Sequence, residues 1–90
     1  MKYKNINGTG GRKCPSGFSS WLDYYMKSNG LSAMPTCARK GCTNKATLGA
    51  HVKKVGSNDN SWHIIPLCDS CNGLTSEFEI NSIVNPISVR

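Results

Sequence analysis

The sequence predicts a small α+β zinc-stabilised domain: a helix, then a β-hairpin and a short helix gathered about one metal ion. Three observations predict it. Two cysteine pairs, Cys37-x4-Cys42 and Cys68-x2-Cys71, flank a segment whose apolar residues alternate on either side of a turn-rich stretch. A separate stretch, "SSWLDYYMKSNG", carries helical spacing between a start and a stop signal. Finally, a chain of 90 residues, 38% of them hydrophobic, buries too small a core to stand comfortably without a staple.

Residues 1–17 read as a flexible, basic, glycine-rich tail, with Arg12 and Lys13 among Gly8, Gly10, Gly11, Pro15 and Gly17. Nothing periodic holds them, so disorder or a loose wrap is expected. A single domain is expected over 18–90. Its helix falls at about 19–29: Ser19 or Ser20 caps the start, Ser20 with Asp23 resembles a capping box, and Gly30 suits the C-terminal cap. Trp21 with Tyr25, and Leu22 with Met26, form an apolar stripe at i,i+4. Trp21, Tyr24 and Tyr25 have rings able to stack on bases, but such a stripe at helical spacing is more often core.

Pro35 breaks the chain before the first cysteine pair. In "TLGAHVKKV", Leu48, Ala50 and Val52 face one way and Thr47, Gly49 and His51 the other. "GSNDN" is a turn, and "SWHIIPL" a second strand, with Trp62 and Ile64 on one face and His63, Ile65 and Leu67 on the other. Pro66 has no N–H to give, so pairing should end there or run along an edge. A short helix is expected to open at or near Cys71, weakened by Gly73. In the C-terminal extension, 79–90, Ile80, Ile83, Val84 and Ile87 are available to cover the thin core.

The strongest chemical signal is the pair of cysteine pairs. Each bends the backbone so that two thiolates converge, and zinc takes four such ligands tetrahedrally at about 2.3 Å. The 25 residues between Cys42 and Cys68 suffice for a hairpin that joins the pairs. Cys37, Cys42, Cys68 and Cys71 are the expected ligands, with His51 or His63 in place of one thiolate as the alternative set. Four thiolates leave no position open to substrate, so the site is expected to be structural and its binding energy to be folding energy. Cys14, in "RKCPSG", is left over as a free thiol.

No apolar run approaches the roughly 20 residues that span a bilayer, and "MKYKNINGTGG" lacks the apolar stretch of a secretory signal. A cytoplasmic location, where thiols bind metal rather than pair, is the expectation. The net charge of +6 is uneven: residues 1–54 carry ten Lys/Arg against Asp23, and residues 55–90 carry Arg90 against four acids. A basic first half points to phosphates or another acidic surface, with Arg39, Lys40, Lys45, Lys53 and Lys54 as the contacts. Charge that merely aids solubility explains the same excess about as well.

The order of knuckle, hairpin and second knuckle opening a helix resembles a treble-clef zinc finger. With "GAHV" closing the first strand and "PLCDSCN" at the second knuckle, residues 36–78 are similar to the HNH-type nucleases, the zinc-bearing branch of the ββα-metal fold. The resemblance implies a divalent ion, Mg2+ or Mn2+, held against a scissile phosphate, with His51 as general base and Asn60, His63 and Asn72 at the family's other site positions. This chain departs from the pattern in three places. Ala50 replaces the acid that often precedes the histidine. His63 stands where the middle asparagine is usual, leaving Asn60 as its nearest substitute, and Asn72 replaces a histidine.

Three readings follow. One is an HNH-like DNA endonuclease, and the second a non-catalytic zinc module bound to nucleic acid. The third is a protein-binding scaffold of the small phage or mobile-element inhibitor kind, anchored by the aromatic helix.

Overall fold

The computed structural model describes residues 2–6, 13–56 and 61–89. In chain order the elements are β1 (Lys2–Asn5), α1 (Trp21–Ser28), β2 (Leu48–Lys54), β3 (Trp62–Leu67), α2 (Asp69–Asn72), β4 (Phe78–Glu79) and β5 (Ile87–Val89). The strands form one antiparallel sheet in the order β4-β1-β2-β3-β5.

The β2–β3 hairpin is the centre of the fold. Its register pairs Leu48 with Leu67, Ala50 with Ile65 and Val52 with His63 on one face. Gly49 with Pro66 and His51 with Ile64 lie on the other. The two-residue period of a strand assigned these faces correctly. Pro66 sits inside β3 without breaking a ladder bond. Its carbonyl accepts from Ala38 N–H (2.7 Å), so its nitrogen points the same way, away from β2. It lies beyond the stretch, Trp62–Ile64, that β5 pairs.

The first face carries the larger core: Ala50, Val52, Ile65, Leu67, Tyr3 and Phe78, with Cys37, Ala38, Cys68 and Cys71 packed over them. The second face is covered by α1. Ser20 Oγ accepts from Asp23 N–H (3.0 Å) and Asp23 returns the favour at Ser19 N–H (3.1 Å), which fixes the helix start. Tyr25 and Ile64 are buried together there, with Trp21, Tyr24, Met26, Trp62 and Ile87 around them. The aromatic stripe is therefore core, with its side chains turned toward the sheet. Gly49 lets the helix come this close, since a Cβ on it would stand 2.6 Å from Leu22 N and Trp21 C.

One expectation needs correcting. Lys2–Asn5 is a strand between β4 and β2 rather than part of a loose tail, held by Tyr3, which is 4% exposed, and by pairing with two neighbours. One apolar residue in four gave no periodic signal, and β2 is about fifty positions away. The short helix expected near Cys71 is α2, a single turn over Asp69–Asn72 with Cys68 as its N-cap and Gly73 as its C-cap; after Gly73 the chain turns back toward the sheet and becomes β4. In the C-terminal extension Ile80 and Val84 pack against the larger core and Ile87 against the smaller, but Ile83 is 90% exposed.

β1 is tied to the second knuckle. Asn5 Nδ2 donates to the carbonyls of Cys71 (3.1 Å) and Leu74 (3.0 Å). Asn5→Ala leaves both carbonyls in a half-buried site without that donor. We expect a loss of about 1–3 kcal/mol in urea unfolding, with faster amide exchange in β1 than in β3.

Candidate metal centre

The first knuckle is built by short-range backbone bonds. Cys42 N–H donates to Arg39 O (3.0 Å) and Cys37 N–H to Asn44 O (2.8 Å), and Thr36 bridges Lys45. The reversal between the two cysteines passes through Gly41 at φ +87°, a region open to glycine. The second knuckle follows β3 directly. Cys68 is the N-cap of α2, and Asn72 N–H donates to its carbonyl (3.0 Å). The knuckles meet because Ala38 N–H bonds Pro66 O (2.7 Å) and Thr47 N–H bonds Leu67 O (2.9 Å).

Four sulfurs result, from Cys37, Cys42, Cys68 and Cys71, all within 4.8 Å of one another. Cys42 Sγ and Cys68 Sγ are 3.9 Å apart, against about 3.8 Å for the edge of a tetrahedron with 2.3 Å zinc–sulfur bonds. Cys37, Cys68 and Cys71 are buried, and Cys42 is half-buried. Asn44 Nδ2 lies 3.7 Å from Cys68 Sγ as a donor.

The thiols do not favour ionisation together. Chiefly through the backbone N–H of Cys71, the Cys68 thiol is brought down to about 6. Burial, reinforced by the neighbouring thiols, pushes Cys71 up to about 12, and burial also raises Cys37. A cluster of this kind gains from a cation that lets all four become thiolates. The donor set and its spacing therefore fit a tetrahedral, thiophilic ion such as zinc, and these four residues would hold it. Such an ion would link the hairpin's end to the segment that precedes it.

Of the residues expected to surround a second, catalytic ion, the two histidines are set apart on opposite faces of the sheet. His51 lies on the α1 face of the sheet, 6% exposed, with Trp21 edge-on to its ring at 4.6 Å and Trp62 at 6.0 Å. His63 pairs with the next residue, Val52, and so belongs to the opposite face, 8% exposed and edge-on to Tyr3 at 6.4 Å. Asn72 is exposed on α2, and Asn60 lies outside the described residues, as do Asn58 and Asp59. Asp69 accepts from Thr47 Oγ1 (2.8 Å). Among the described residues the four cysteines are the one group of three or more His, Cys, Asp or Glu side chains close enough to share an ion. His51 sits mid-strand in β2, not at a strand end, and the helix that covers it was not inferable from the alternation.

The basic candidates occupy three places. Arg39 and Lys40 are exposed in the first knuckle and line a shallow cleft with Lys2, Glu77, Phe78 and Glu79. Lys45 is exposed where that knuckle closes, while Lys53, exposed, and Lys54, half-buried, end β2. Lys2 and Lys4 of β1, both exposed, join them and were missed because β1 was not recognised as a strand. Cys14 stands apart from the cluster, its Sγ–H donating to Phe18 O (3.2 Å). No helix among the described residues is long and apolar enough to cross a membrane.

The fold and site define a class: a small α+β domain with an antiparallel sheet and a four-cysteine cluster able to bind a metal. The chain matches no family model, no curated protein and no solved structure.

Proposed function

We propose that this chain is a zinc-stabilised module, HNH-like in its knuckles and hairpin, that binds nucleic acid without cutting it. The observation that carries the reading is the closed set of four sulfurs, all within 4.8 Å of one another, beside histidines divided between two faces of the sheet. Four thiolates complete zinc's tetrahedron, so the ion holds structure and activates no water. A base working on a phosphate needs hydrogen-bond reach to the attacking water. His51, flanked by Trp21 and Trp62, has little open surface from which to supply it. The binding capacity then rests on the exposed cations Arg39, Lys40, Lys45 and Lys53, whose contacts to phosphate would be salt-dependent and tolerant of sequence.

Two assays on the zinc-loaded protein test this. Fluorescence anisotropy should show binding to labelled DNA that weakens steeply with salt. Plasmid incubated with the protein and Mg2+ or Mn2+ should stay supercoiled. Nicking that disappears in His51→Ala would overturn the non-catalytic reading in favour of the HNH-like hydrolase.

A second reading, a protein-binding scaffold, draws on one observation. Leu31 (39% exposed) and Ile83 (90%) line a groove of about 310 Å³ with Tyr25, Pro35 and Val84, and Met34 (49%) is also exposed. The aromatic helix proposed as its anchor is packed inward, so this groove would take that role. DNA binding that is absent at low salt moves the weight here.

A further inference from the structure

Lys4 of β1 and Lys53 of β2 are direct cross-strand partners. Both are exposed, and both lie on the α1 face, because their neighbours Tyr3 and Val52 are buried on the other. Facing side chains of an antiparallel pair stand about 4.5–5.5 Å apart at Cβ, and like charges there oppose pairing. Among the described residues the ion pair that forms is Lys27 with Asp23, so no described carboxylate is paired with either lysine. Lys2 shares their face, two residues along β1 and thus about 6.8 Å away. It has Glu79 opposite it in β4 and borders the cleft of Arg39, Lys40 and Glu77. α1 packs on β2 and β3, with its first turn over Gly49, and Lys53 lies four residues further along β2.

Resting on the nucleic-acid reading, we infer that Lys4 and Lys53 form a shelf on the sheet that grips two phosphates of a nucleic-acid backbone. Arg39 and Lys40 continue it past Lys2 to the first knuckle. Lys4 and Lys53 lie on the face opposite the cysteine cluster, while Arg39 and Lys40 stand in the knuckle that carries Cys37 and Cys42. The shelf would be built from rigid strand positions, so the cations are held ready at some cost to the free protein. That cost is relieved when phosphate arrives.

The test compares wild type with Lys4→Gln/Lys53→Gln, using a short labelled DNA duplex and anisotropy across a salt series. The double variant should keep its zinc and melt higher than wild type, since a like-charge pair is removed. Its log K against log salt slope should fall in magnitude by about 1.8, two duplex phosphate contacts, and Lys4→Arg/Lys53→Arg should restore it. Wild-type binding with an unchanged slope in the double variant overturns the shelf and leaves the functional reading standing. Absence of any wild-type binding overturns both.

Discussion

If the four-cysteine cluster holds zinc as proposed, a strong chelator is expected to unfold this protein. Far-UV circular dichroism should lose its sheet signal, cooperative melting should vanish, and one equivalent of zinc should restore both. The magnitudes decide it. A domain of this size has about 5–15 kcal/mol of net stability, and a structural zinc supplies about 10–16 kcal/mol in small zinc-binding peptides. Three of the four thiols are buried in the main core together with Ala50, Val52, Ile65 and Leu67. Cys37→Ser and Cys71→Ser should therefore fail to fold even with zinc present. Cys14→Ser should melt within a few degrees of wild type, because Cys14 lies outside the cluster and holds a single bond to Phe18 O. A protein that keeps its melting temperature in chelator would contradict this account.

Gly49→Ala has the second largest expected effect. The added methyl would stand 2.6 Å from Leu22 N and Trp21 C and 2.9 Å from Trp21 Cβ. Two of those atoms are backbone, so no rotamer change relieves the contact and the start of α1 must lift from β2. Overpacking costs about 1–3 kcal/mol, and this case belongs at the upper end. At about 4–8 °C per kcal/mol for a domain of this length, Tm should drop by well over 10 °C. Trp21 fluorescence should also shift to the red as its contact with His51 loosens. Gly73→Ala is the matched control. Its new Cβ would meet nothing nearer than Ser70 O at 3.5 Å, and Gly73 has an ordinary helical φ of −83°. Little loss, or a small gain, is expected there.

How much of this was readable from residues alone follows from which interactions are local. The knuckles were legible because Cys-x-x-Cys and Cys-x4-Cys with Gly41 bend the chain within a few residues. The α1 boundaries were legible because Ser20 and Asp23 cap across three positions. The hairpin was legible because Leu48, Ala50 and Val52 alternate with residues that face elsewhere. What covers each face was not, since it depends on where a distant helix docks. His51 illustrates the difference. Alternation turned it correctly away from Leu48 and Val52, but only the fold puts Trp21 against it. β1, β4 and β5 were missed for a related reason. Each has two to four residues, and each is ordered by partners far along the chain, such as Asn5 reaching Cys71 and Leu74. The cationic row of Lys4 and Lys53 exists only in that long-range register.

The central claim, that one zinc ion is closed by four sulfurs, meets its most direct test in X-ray absorption at the zinc edge of the purified protein. Four sulfur scatterers at about 2.3 Å, with one zinc per chain, are the predicted result. A shell that requires a nitrogen or oxygen ligand near 2.0 Å, as a coordinating His51, His63 or water would give, contradicts it.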